Sequence, residues 1–183
     1  MNASPERYSS ASIILHWMNA AAIFAAIPLG ISLEHAPAAW TDTLYRLHWS
    51  FGLMALAIVF CRMANRAGSK PPAAYASLTR LEFVLSSIIH RVLYILLLIV
   101  PTLGWAGKSA YGGKITVFGL FDMPAILTQN TARGEQILAV HGIAAKLLIL
   151  CIILHVVGAL NHALIKRDGV LRRMLPAVWF RQD

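Results

Sequence analysis

Four apolar stretches, at about residues 13–33, 44–63, 83–107 and 138–164, constrain this chain more than any other feature. Each reaches the roughly 20 residues of helix needed to cross a hydrocarbon core. No water is available there to backbone N–H and C=O groups, and a helix satisfies them within itself. Of the 183 residues, 58% are hydrophobic and 13% charged. Little is left over for anything but connections and tails. The fold class is therefore all-α: residues 1–183 form a single integral membrane domain, a four-helix bundle, and no separate soluble domain fits in the remainder.

Two other readings of these stretches are weaker. Arg7 before the first run and Ala36-Pro37-Ala38 after it resemble a secretory leader. That run is longer than the about 7–15 residues of a leader's apolar core, and it carries His16, Trp17 and Asn19. Both cysteines, Cys61 and Cys151, lie inside apolar runs, where they read as small buried residues, and no Cys-x-x-Cys-His offers covalent haem attachment.

The net charge of +8 is distributed unevenly. With four spans, both termini and the connection 64–82 share one side. That side carries Arg7, Arg62, Arg66, Lys70, Arg80, Arg91, Lys166, Arg167, Arg172, Arg173 and Arg181. The other side has Arg46, Lys108, Lys114 and Arg133, with Lys146 inside the fourth span. Cations mark the cytoplasmic face, so both termini are expected in the cytoplasm. Because these cations flank membrane spans, the partner they imply is membrane lipid, and no nucleic acid is expected. Arg62 and Arg91 read first as snorkelling side chains, and Trp17, Trp40, Tyr45, Trp49 and Trp105 as an interfacial belt. The connection 64–82 holds Gly68-Ser69-Lys70-Pro71-Pro72, which breaks helix. The longest loop, 108–137, contains Gly112-Gly113, Gly119 and Pro124 and is expected to lie over the outer end as a cap.

Ionisable residues within apolar spans are functional-site candidates. His16 opens the first span and His48 the second, while His141 and His155 share the fourth. In–out alternation places His16 and His155 near the inner end, and His48 and His141 near the outer. The 14 residues from His141 to His155 rise about 21 Å and leave both side chains within about 40° of one direction. Four imidazoles matched in depth and facing predict two six-coordinate haems, each held between two helices. Two histidines per level, with no acidic or thiol ligand at suitable spacing, fall short of a zinc site. Gly52, Gly142 and Gly158 lie near these histidines and offer room for a flat macrocycle.

At these residues the chain resembles the bacterial cytochrome b561 family, four-helix di-haem proteins of the inner membrane. The resemblance covers nearly the whole length. It rests on His16-Trp17, Leu47-His48-Trp49-Ser50-Phe51-Gly52, His90-Arg91, Val140-His141-Gly142 and His155. It implies two haem b groups, exchange of electrons with ubiquinone and, in one known activity, oxidation of periplasmic superoxide. His16, His48, His141 and His155 are then the axial ligands of haem iron. Lys108 and Lys114, with Tyr111 between them, are the expected steering groups for an anionic donor, and Arg133 is a weaker one. At the inner end His90 and His162 are expected to contact quinone, with Arg91 beside reduced quinone or a haem propionate and Trp17 near the inner haem. The alternative is a haem-bearing anchor that passes electrons between quinone and a partner protein, as the cytochrome b subunits of hydrogenases and formate dehydrogenases do. His35 reads as surface, and Lys146 as snorkelling away from His141.

Overall fold

The computed structural model describes residues 7–69, 72–73 and 78–176; Lys70, Pro71 and Arg181 lie outside them. Four long helices carry the fold: α1 (Ser10–Ser32), α2 (Ala38–Gly68), α3 (Arg80–Tyr111) and α4 (Thr131–Leu160). All four are long and apolar enough to cross a membrane. A 3-10 turn at Leu33–His35 follows α1, and a hairpin of β1 (Ile115–Val117) and β2 (Phe121–Met123) sits between α3 and α4. The last helix continues into a π-helical turn, Asn161–Lys166, before a 3-10 turn at Leu171–Met174.

The helix ends follow from local chemistry. Ser9 Oγ accepts from the Ser12 amide at 3.2 Å to start α1. Thr79 and Glu82 form a reciprocal capping box at the start of α3. Asn130 Oδ1 accepts from the Arg133 amide at 3.0 Å to open α4. Gly112, at φ 94°, closes α3 in the left-handed region where glycine is the cheapest residue.

Hydropathy marks only the lipid-soluble part of each helix, so the helices outrun the apolar stretches. α2 begins at Ala38 rather than 44 and ends at Gly68 rather than 63, because the hydrogen-bonded ladder continues through the polar flanks. α3 runs on to Tyr111 and α4 starts at Thr131, so the outer connection is 112–130 rather than 108–137. Lys108 and Tyr111 accordingly sit on the last turn of α3, not in a loop.

The bundle is assembled from two helix pairs. α1 packs along α2 and α3 along α4, α2 and α3 touch less, and α4 has no comparable backbone packing against α1 or α2. One core joins Leu56 and Val59 of α2, Leu93, Leu96, Leu97 and Val100 of α3, and Leu148 and Cys151 of α4. A smaller one joins Ala22 to Ala55 and Ile58. Many other large apolar side chains, such as Phe24, Phe60, Ile143 and Leu164, face outward. In water such a surface would be an association site; on a spanning helix it is the lipid face.

Side-chain bonds define the two ends of the bundle. At the terminal end, Asn65 Nδ2 donates to Ser12 Oγ at 2.7 Å, Trp17 Nε1 donates to the Met174 carbonyl at 2.8 Å, and Lys166 pairs with Glu82. At the opposite end, the Phe118 amide donates to Ser50 Oγ at 2.8 Å and Trp105 Nε1 to the Pro124 carbonyl at 3.0 Å. Phe118 also meets Phe51 edge-on at 5.2 Å. The hairpin thus lies on this end, the cap end.

Candidate functional site

Two imidazole pairs span the seam where α4 faces α1 and α2. At the cap end His48 of α2 faces His141 of α4, ring centres 6.1 Å apart and planes at 88°. At the terminal end His16 of α1 faces His155 of α4 at 6.2 Å and 71°. A metal–imidazole bond of about 2 Å, plus about 1.1 Å from nitrogen to ring centre, counted on both sides, gives about 6.2 Å for two imidazoles on opposite sides of one ion. Both pairs match that spacing. His90, by contrast, meets the His155 ring edge-on at 5.1 Å, too close for the two rings to stand on opposite sides of one ion. Among the described residues no group of three or more His, Cys, Asp or Glu converges as a metal-binding set. The ligating unit on offer is therefore a pair of histidines, which fits a haem held from both sides.

The cap-end rings are fixed by backbone. His48 Nδ1 lies 2.9 Å from the Ala26 carbonyl and His141 Nδ1 lies 2.8 Å from the Val100 carbonyl. A carbonyl only accepts, so Nδ1 carries the proton and Nε2 keeps the lone pair a metal needs. These close approaches depend on glycine. A Cβ at Gly30 would come within 2.7 Å of the His48 ring, and one at Gly104 within 3.2 Å of His141. The terminal-end pair lacks such seats. His16 Nδ1 is buried with no partner among the described residues, as are both polar atoms of the fully buried Asn19, three residues along the same helix.

Other side chains expected at the site separate. Lys108 lays its ammonium over Trp49, 4.7 Å from the ring centre, and 5.9 Å from that of Tyr111. Trp49 in turn stacks on Tyr45 at 5.1 Å. This places Lys108 beside the residue that follows His48. Lys114 is on the hairpin, exposed and 3.5 Å from Asp122. The Thr116 hydroxyl, and then Lys114, hold the Asp122 carboxyl below the usual carboxylate range, so this pair stays ionised and nearly neutral as a unit. Arg133 is exposed on the first turn of α4.

At the terminal end Trp17 meets the His16 ring edge-on at 5.4 Å while bonded to the 174 carbonyl. His90 touches His155, but Arg91 points to the exposed side of α3. The cation common to His16, His90 and His155 is Arg62, whose guanidinium lies over the Tyr94 ring at 5.2 Å; Arg66 also acts on His90. His162 is bound through Nδ1 to Asp168 Oδ2 at 2.6 Å, in the π-helical turn that ends α4.

Sequence reasoning missed Gly30, Gly104, Arg62 and Asp168. Only Gly30 and Gly104 left a trace, as glycines inside apolar helices, which usually mark a close approach. Gly52, Gly142 and Gly158, expected to leave room for a macrocycle, open onto space, with nothing within 4 Å of an added Cβ.

Residues 7–177 match the family described as prokaryotic cytochrome b561. The chain belongs to that family. Membership brings haem b binding and electron transfer in the membrane. The similarity extends over nearly full length to cytochrome b561 homolog 2 of Escherichia coli strain K12, 30% identical over 175 residues, 94% of this chain and 93% of the relative. Cytochrome b561 homolog 1 of the same strain is 27% identical over 173 residues, 93% and 97% of the two chains. A protein of Yersinia pestis named probable superoxide oxidase CybB is 26% identical over 174 residues, again 93% and 97%.

Proposed function

We propose that this cytochrome b561 holds two haem b groups and carries electrons across the bacterial inner membrane from periplasmic superoxide to ubiquinone, with both termini in the cytoplasm. The observation that carries the reading is the pair of cross-helix imidazole couples, 6.1 and 6.2 Å between ring centres, at opposite ends of one bundle. His48 and His141 would hold the outer haem, and His16 and His155 the inner. When bound, each would supply a one-electron iron(III)/iron(II) couple suited to outer-sphere transfer.

The chain's own residues provide the rest. Lys108 makes no ion pair among the described residues and sits on Trp49, next to His48. It is the cation best placed to draw an anion toward the outer pair, with Tyr111 at its flank. Lys114, matched by Asp122, adds little net field. Two superoxide ions give up one electron each and leave as O₂. One ubiquinone takes up both electrons and two protons. His90 lies against His155, and His162, held through Nδ1 by Asp168 in the turn that ends α4, is the second quinone contact. Arg62, rather than Arg91, supplies the positive charge next to the inner histidines. The name of the Yersinia pestis relative supports superoxide as donor.

A superoxide pulse applied to the purified protein with ubiquinone present tests this. The expected result is rapid haem reduction followed by reoxidation as quinol appears. Two haems that ignore superoxide, in a protein that co-purifies with another redox subunit, would make it the partner-dependent anchor instead.

A further inference from the structure

The two histidine pairs differ in what stands behind them, and the difference has a sign. Both cap-end rings donate Nδ1–H to a backbone carbonyl, Ala26 for His48 and Val100 for His141. In each case a glycine four residues beyond the carbonyl, Gly30 or Gly104, supplies the room. The same device has been built twice, from α1 and from α3. At the terminal end neither His16 nor His155 makes a ring-nitrogen hydrogen bond among the described residues, and His16 Nδ1 is buried without one. That end instead has Arg62, half-buried with its guanidinium over the Tyr94 ring, whose charge acts on His16 and His155. At the cap end Lys108 lies over Trp49, and among the described residues no cation acts on the His48 ring itself as Arg62 does on the terminal-end rings.

A hydrogen bond from Nδ1 makes the imidazole a stronger electron donor and favours oxidised iron. A nearby positive charge favours the form that holds one more electron. We infer that the Gly30 and Gly104 carbonyl seats and the Arg62 guanidinium order the two haem potentials, the His48/His141 site lower and the His16/His155 site higher. This rests on the two-haem reading. The gradient favours electrons moving from the cap end to the terminal end, so the direction of transfer is built into the bundle.

Redox titration of the purified holoprotein tests it, with midpoints assigned by the single one that survives in His48→Ala and in His155→Ala. The cap-end midpoint should be the lower by at least tenfold in equilibrium constant, about 59 mV for one electron. Gly30→Ala pushes the His48 ring off its carbonyl, so the cap-end midpoint should rise while the other stays. If Gly30→Ala loses that haem, Gly104→Ala carries the same reading, because its methyl meets His141 at a milder 3.2 Å. Arg62→Gln should lower the terminal-end midpoint alone, and Arg62→Lys should restore it. Coincident or inverted midpoints would overturn the inference, as would a glycine variant that keeps its haems and both potentials. A protein with no haem, or only one, would instead overturn the two-haem reading beneath it.

Discussion

An imidazole in a bilayer has two nitrogens to account for, and in His48 and His141 both are accounted for. One is bonded to a carbonyl at 2.9 or 2.8 Å and the other is left for a ligand. The near-perpendicular planes, 88° and 71°, have a spectroscopic consequence. Low-spin haem held by crossed imidazoles should show EPR signals dominated by one large g value, and a rhombic spectrum with all three g values close together would rule out this ligand geometry. A second residue-scale prediction concerns the two lysines. Lys108→Ala should slow reduction by superoxide by about tenfold at low salt, and Lys114→Ala should change it little, because Asp122 already cancels its charge; stopped-flow traces at two ionic strengths distinguish them. At this scale the sequence was legible where a regular period decided facing, as for His16, His48, His141 and His155. It was not legible where a lateral neighbour decides. Gly30 touches His48 across a helix boundary, Asp168 reaches back to His162, and Arg62 rather than Arg91 turns inward. No local pattern encodes those three relations.

Among the elements, the hairpin was the least visible, since its strands of three residues fall below any alternation signal. Its attachment is specific nonetheless. Ser50, fully buried, donates to the Arg46 carbonyl at 2.7 Å and accepts from the Phe118 amide at 2.8 Å. Phe118 holds a positive φ of 48°, a conformation costly for a bulky residue and maintained by that bond and the Phe51 ring. Ser50→Ala strands the Phe118 amide and should cost about 1–3 kcal/mol. Hydrogen exchange should quicken at residues 115–123 while α3 and α4 remain protected; unchanged exchange in the hairpin would show that other contacts hold it. Helix boundaries were the other misreading. The apolar stretches gave the positions of the four helices but not their lengths, because a helix does not stop where the lipid does.

On the scale of the whole molecule, the seam along α4 organises everything else. The backbones there do not pack as α1–α2 and α3–α4 do, and imidazole pairs cross it at both ends. By the excess of Lys and Arg at the terminal end, the proposed arrangement has that end in the cytoplasm. A fluorescent reporter that folds only in the cytoplasm should light up when fused after residue 183 and stay dark when inserted at 119; the opposite pattern would invert the donor and acceptor ends. The most direct test of the account is haem counted per chain in the wild type and in His48→Ala and His155→Ala. It predicts two haem b per chain, falling to one in each variant, with different haems lost. A full complement of two in either variant would contradict the pairing on which the account stands.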